Sequence, residues 1–205
     1  MTTTDTLRRL LLRARADETF SVGAYEIGRS TGPLHSDVVG TLSWDGPTAK
    51  PGTPFDIASV TKPIVAVLAA AMLERGVLAL DDTVERLLPQ YARTDKARIT
   101  VGELLTHTSG LPGQVRMYRW AHTPEQMWDG LARLPLVAPP GVQVAYSSQG
   151  FILLGAILEA AATAPLDEAV RTYVLSPNAM HSTRFGLPTQ DHARAAATEE
   201  CPWRG

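Results

Sequence analysis

The stretch Phe55-Asp56-Ile57-Ala58-Ser59-Val60-Thr61-Lys62-Pro63 marks the point where the chain changes character. Phe55–Ile57 is strand-like. From Thr61 to Arg75 the chain is apolar around the whole helical circumference, which predicts a buried helix, stopped by Gly76. Ser59 and Lys62 are three residues apart, so on a helical turn they share one face. A serine hydroxyl is a weak nucleophile at neutral pH and needs a base beside it. A lysine can serve where burial or a positive neighbour lowers its pKa, and a helix N-terminus favours negative charge developing at Ser59. The competing reading of the same residues is a serine N-cap followed by a solvated lysine. With ten Ser and three Lys in the chain, chance gives about 0.15 such spacings, so the spacing alone leaves both readings open.

Upstream, residues 5–17 read as an amphipathic helix whose Arg8, Arg9, Arg13 and Arg15 form a solvated face. Phe20–Ile27 alternates like a half-buried strand, Gly28–Asp37 reads as a loop, Val38–Trp44 as a second strand, and Asp45-Gly46 as a turn. Downstream, Asp82 with Glu85, Thr100 with Glu103, and Thr123 with Gln126 have capping-box spacing. They predict short helices near 82–88, 100–106 and 123–134, the last with Pro124 at its first position. Pro139-Pro140-Gly141 breaks the chain before Val142–Tyr146. Phe151–Ala162 and Pro165–Leu175 read as two further helices, and 177–205 as loop. The order of a helix, strands and then a long helical block is an α+β arrangement. Two short strands do not make a stable covered sheet, so something else is expected to complete it.

Composition narrows the function. The chain has 205 residues, 44% hydrophobic and 20% charged, with net charge −2. That balance gives no basic surface for nucleic acid or an anionic membrane. The longest uncharged apolar run, Pro63–Leu73, is too short to span a bilayer. The N-terminus lacks a secretion pattern, which makes the cytoplasm the expected location. The single cysteine, Cys201, allows no internal disulfide. The five histidines (35, 107, 122, 181 and 192) show no metal-ligand spacing, and no glycine-rich phosphate loop is present, so no cofactor is expected.

Four segments, in order, carry a likeness to a known family. They are Phe55–Pro63, Leu104-Leu105-Thr106-His107-Thr108-Ser109-Gly110-Leu111-Pro112, Pro140-Gly141-Val142-Gln143-Val144-Ala145-Tyr146-Ser147-Ser148, and Asn178-Ala179-Met180-His181-Ser182-Thr183-Arg184-Phe185. Together they resemble the serine β-lactamase and penicillin-binding-protein superfamily, in the branch of class C β-lactamases, D-alanyl-D-alanine carboxypeptidases and related esterases. The resemblance runs from about residue 20 to 186. It implies a β-lactamase/transpeptidase-like fold, an antiparallel sheet plus a helical subdomain. The implied division is 1–58 for the first strands, 59–175 for the helical subdomain and 176–205 leading to a missing C-terminal part. It also implies Ser59 as nucleophile, Lys62 as base and Tyr146 as the tyrosine of a Tyr-x-Asn motif sharing the proton transfer. Taken by itself, Tyr146 reads as a half-buried core aromatic. Ser148 stands where the family has Asn. As a substrate-binding residue it offers one hydroxyl in place of an amide, a departure that fits esterase-type members better than lactamases or peptidases.

His107 invites a Ser-His-Asp reading, but within this resemblance it belongs to a structural segment, bonding backbone where a helix meets a loop. Tyr118, Trp120 and Trp128 fall in the region that caps the family's cleft, where they either shape an apolar pocket or pack as part of a helical lid. The family's third motif, Lys/His-x-Gly, carries one oxyanion donor and does not follow Tyr146. The expectation is therefore an N-terminal portion whose partner is the C-terminal portion of the same protein as a second chain. The implied activity is acyl transfer through Ser59 on a small-molecule ester, amide or lactam, esterase first, then peptidase or β-lactamase, then acyltransferase. The rival from another class is a non-catalytic binding or scaffold protein that kept the fold.

Overall fold

The computed structural model describes residues 3–198. Cys201 and the other residues beyond lie outside it. The chain forms two compact units, one built from residues through Ala58 together with those from Gly186 onward, the other from Ser59–Phe185.

The first unit begins with α1 (Thr3–Ala16) and an antiparallel hairpin of β1 (Val22–Arg29) and β2 (Gly32–Gly40). The second strand starts much earlier than composition suggests. Ser30 and Thr31 alone make the turn, and Gly32 and Pro33, read as loop, pair with Arg29 and Gly28. Pro33 lies beside an irregularity in the ladder, where a missing N–H is tolerated. The register shifts between Ile27 and Gly28, and β2 ends at Gly40 rather than Trp44. Thr41 and Thr48 then form an isolated bridge around the turn near Asp45-Gly46.

The arginines of α1 are not one solvated face. Arg8 pairs with Asp37 of β2. Arg15 is half-buried and donates to the Ser21 carbonyl at 3.2 Å and the Thr41 hydroxyl at 3.0 Å. An arginine's long stem lets it lie along an apolar surface while its head finds acceptors. The segment after Gly186 is also more ordered than a loop. It contains a 3₁₀ turn at Thr189–Arg194, and the Ala196 and Ala197 amides donate to the Pro54 and Leu42 carbonyls at 2.9 and 2.7 Å. Among the described hydrophobic residues of this unit only Val39, Leu42 and Ala49 are buried, too few to support a two-stranded sheet by themselves.

The second unit holds the core. Its elements are α2 (Thr61–Glu74), α3 (Val84–Leu87), α4 (Val101–Leu105), α5 (Pro124–Arg133), α6 (Ser148–Ala162) and α7 (Leu166–Val170). Leu68, Leu104, Leu131, Leu153, Leu154 and Ile157 are wholly buried among them. The expected helix over 165–175 is interrupted. After α7 the backbone widens into a π turn at Arg171–Leu175. α2 differs from expectation in burial. It buries Val65, Leu68, Ala69 and Met72, while Val67 is 50% exposed, so an all-round apolar helix here covers one face only.

The capping signals divide. Thr100 and Glu103 form a full capping box at α4. Thr123 accepts the Gln126 amide, but Gln126 reaches back to the His122 amide instead of that of Thr123. Asp82 does not cap α3. The N-cap there is Thr83, and the Asp82 carboxylate accepts the Ala79 amide at 2.8 Å.

Sequence reading missed Lys96. It is 1% exposed, and its ammonium reaches Asp95, the Ala132 carbonyl at 3.0 Å and the Leu134 carbonyl. It thereby satisfies carbonyls left open at the end of α5, where a cation also complements the helix dipole. Burial pushes the Asp95 carboxyl up, but the Lys96 ammonium and the Leu136 amide outweigh it and hold the group below the usual carboxylate value. Among the described residues no single helix is long and apolar enough to cross a membrane.

Candidate active site

Ser59 lies in a 3₁₀ turn, Ala58–Val60, that leads into α2. It does not cap the helix. The N-cap is Val60, and no side chain bonds the first amides. Ala58, directly before it, has φ 44°, a conformation that costs a non-glycine residue about 1–3 kcal/mol. The Ser59 hydroxyl instead meets Lys62, whose Nζ donates to Oγ at 3.1 Å. The bland reading of the spacing, a capping serine and a solvated lysine, is thus not what the local geometry shows.

Tyr146 joins this pair from eighty-odd residues away. Lys62 Nζ lies 4.8 Å from the centre of the Tyr146 ring and 6.0 Å from that of Phe151, within cation–π range. The Tyr146 hydroxyl is held below its ordinary value of 10.0. Hydrogen bonding with Lys62 is the largest cause, hydrogen bonding with Ser59 the next, and the charge of Lys62 adds to both. The tyrosine is 47% exposed, so it is not a core aromatic.

The loop 107–113 holds Tyr146 in place. His107 has φ 58° and turns the chain out of α4. From there the loop and the segment before α6 are tied step by step. Val137 N–H donates to the Gly110 carbonyl, Gly141 N–H to that of Thr108 and Ala145 N–H to that of His107, each at 2.8 Å. Gly110 is required at its place. It has φ 74°, and a Cβ there would stand 2.0 Å from the Ala138 carbonyl oxygen. Ser147, just after the tyrosine, caps α6. Its hydroxyl accepts the Gly150 amide at 3.1 Å and donates to the Pro112 carbonyl at 2.7 Å. The Ser147 amide donates to His107 Nδ1 at 3.1 Å. His107 thus bonds backbone at a helix-to-loop junction. Its ring lies against those of Tyr146 and Phe151, at centroid distances of 4.7 and 5.0 Å. Ser147 went unread in the sequence, although a serine three residues before Gly150 is itself an N-cap signal.

Ser59, Val60, Lys62, Pro63, Ala66, His107, Tyr146 and Phe151 line one open groove. Ser148 is not among them. It is half-buried at the start of α6, with its amide donating to the Gly113 carbonyl at 3.3 Å. Tyr118, Trp120 and Trp128 do not line it either. Trp128 packs on the core, and the Trp120 ring lies over Gly130 of α5, so these two tryptophans pack against the helices. Among the described residues no three His, Cys, Asp or Glu gather where a metal ion could be held.

The family model described as Beta-lactamase matches residues 27–204. The chain belongs to the beta-lactamase family. Esterase EstB of Burkholderia gladioli is 35% identical over an alignment of 166 positions that covers 68% of this chain and 42% of the relative. The D-alanyl-D-alanine-carboxypeptidase/endopeptidase AmpH of Escherichia coli is 31% identical over an alignment of 154 positions that covers 70% of this chain and 40% of the relative. Among solved structures, the octameric penicillin-binding protein homologue from Pyrococcus abyssi superposes with a TM-score of 0.79 at 25% identity, over 88% of this chain and 44% of that one. A class C beta-lactamase superposes at 0.80 with 21% identity, over 94% and 53%, a likeness of fold alone. These likenesses bear out the α+β, β-lactamase/transpeptidase-like fold expected from the motifs. This beta-lactamase-family chain spans about two fifths of the length of the curated relatives it matches.

Proposed function

We propose that this chain carries the nucleophile of a serine hydrolase that acts through an acyl-enzyme on ester substrates. The observation that carries the reading is the Lys62 Nζ to Ser59 Oγ contact of 3.1 Å, with Tyr146 beside it as a hydroxyl of lowered pKa. Tyrosinate and ammonium are mutually stabilising, so the lowered pKa makes the tyrosinate form that can accept the Ser59 proton more accessible. In the first step Oγ forms a bond to the carbonyl carbon while its proton passes to the Tyr146–Lys62 pair. The carbonyl π electrons move to oxygen, where the Ser59 amide is one available donor. Collapse of the adduct breaks the bond to the alkoxide, which takes the proton back and leaves as alcohol. Water repeats the sequence on the acyl-enzyme and releases the acid.

An ester preference is supported by the resemblance to an esterase. The resemblance to AmpH supports a second reading, a D,D-peptidase. The second oxyanion donor, in this proposal, comes from a further polypeptide equivalent to the remainder of the relatives' length. The protein is proposed to act on small molecules in the cytoplasm without a cofactor.

Intact-mass analysis of the natively purified protein before and after a fluorophosphonate tests the mechanism. One adduct on the peptide containing Ser59, absent in Ser59→Ala, is the expected result. No adduct under any condition would favour a non-catalytic scaffold. Comparison of p-nitrophenyl esters with D-Ala-D-Ala peptides then separates the two substrate readings.

A further inference from the structure

Loop 107–113 contributes a ring to the groove as well as backbone carbonyls, and the chemistry of that ring has a consequence for Tyr146. His107 Nδ1 is an acceptor, because a backbone amide can only donate. A neutral imidazole with Nδ1 as acceptor carries its proton on Nε2. An imidazolium has protons on both nitrogens and cannot accept the Ser147 N–H. The bond therefore exists in one protonation state and one tautomer. The ring that makes it also lies against Tyr146 at 4.7 Å, and the Ala145 amide on the other side of the tyrosine donates to the His107 carbonyl. One residue thus grips the chain on both sides of Tyr146 and touches the side chain between.

We propose that His107 is a positioning residue, whose neutral Nε2–H imidazole fixes Tyr146 beside Lys62 and Ser59. The groups facing it support this. α2 presents Lys62, the segment before α6 presents Tyr146, and α6 itself presents Phe151. A second positive charge beside Lys62 is unfavourable, and burial opposes it too. Burial is the larger cause, and the charge of Lys62 the smaller, of a histidine pKa below the ordinary 6.5. Protonation at low pH costs the Ser147 bond and sets an imidazolium against the lysine. The tyrosine then loses its seat.

The inference rests on the hydrolase reading for its functional weight, but its test does not use turnover. In the full chain labelled with ¹⁵N-histidine and ¹³Cζ-tyrosine, NMR reads the His107 tautomer and the titration of Tyr146, the latter assigned with Tyr146→Phe. The expected results are the Nε2–H tautomer at pH 7 and a Tyr146 midpoint below that of a free tyrosine. In His107→Phe, which keeps a ring but has no acceptor, the midpoint moves up toward the free value. In His107→Asn, whose side-chain carbonyl can accept the Ser147 amide and which tolerates a left-handed backbone, the lowered midpoint is retained. A wild-type Nδ1–H tautomer would overturn the proposal, and this reading needs no variant to fold. An unchanged midpoint in His107→Phe, or an equal rise in both variants, would overturn it as well. Failure of Ser59 to take a covalent label would sink the hydrolase reading and leave these outcomes untouched.

Discussion

His107 accepts the Ser147 backbone N–H at Nδ1, 3.1 Å away, across forty residues of chain. This single bond joins the loop after α4 to the start of α6, and Tyr146 sits between its endpoints. The side chain that tempts one toward a catalytic triad is thereby committed elsewhere. A general base for Ser59 would need a free ring nitrogen aimed at Oγ. The Ser59 hydroxyl has Lys62 at that place.

Removing the tyrosine hydroxyl tests the proton path. Tyr146→Phe keeps the ring against His107 and deletes the group proposed to share the proton with Lys62. The rate of fluorophosphonate labelling is expected to fall about 10²–10⁴-fold, the usual scale for a lost acid–base group. Because Tyr146 is exposed, the denaturation midpoint should correspond to a change within about 0.5 kcal/mol. Rate and stability are measured on the same preparation. Equal labelling rates would remove Tyr146 from the mechanism.

The buried ammonium of Lys96 carries stability with no role in the groove. Lys96→Met preserves the stem and leaves the Ala132 and Leu134 carbonyls without their donor. Unsatisfied buried acceptors cost about 1–3 kcal/mol each, partly offset by no longer burying a charge. A net loss of about 2–4 kcal/mol is expected in urea unfolding. A variant as stable as the parent would show that water replaces the lysine at α5.

Gly110→Ala meets two penalties at once. A positive φ costs a residue with a Cβ about 1–2 kcal/mol. The approach of 2.0 Å to the Ala138 carbonyl adds overpacking of about 1–3 kcal/mol. The usual gain from a stiffer unfolded chain, about 0.4–1 kcal/mol, is too small to compensate. Thermal unfolding should shift down accordingly. The labelling rate at Ser59 should fall as well, because the displaced carbonyl belongs to the segment that leads to Tyr146.

Stability should depend on pH through His107. Its folded pKa lies below the unfolded 6.5. The unfolded state therefore binds more protons as pH falls through 6.5, and stability drops in that direction. The contribution is intact above 6.5 and is lost as pH falls toward the folded value. Urea midpoints at pH 7.5 and 5.5 should differ more in the parent than in His107→Asn, which has no titrating group at this place. Identical pH dependence in the two proteins would exclude His107 as the source.

What a short window of sequence can hold, it held. Ser59 and Lys62 are three residues apart on a helical turn, so their meeting is dictated by helix geometry. The box of Thr100 and Glu103 is equally local, and it is present. Asp82 with Glu85 has the same spacing and fails, because Asp82 satisfies the Ala79 amide instead. Two acceptable partners within reach of one side chain cannot be ranked by spacing. The hairpin was misread for a related reason. Gly32, Pro33 and Ser36 look like loop by composition, and only pairing across β1 makes them strand.

The sequence by itself determined the family, the α+β order of elements and the local Ser59–Lys62 pair, since each rests on motif identity or on contacts within one helical turn. Tertiary structure alone decided that His107 grips Ser147, that Lys96 turns inward to close α5, and that Ala196 and Ala197 return to Pro54 and Leu42. These contacts join residues tens of positions apart. No periodicity encodes them, because they depend on where whole elements come to rest once the core around Leu68, Leu104 and Leu153 has closed.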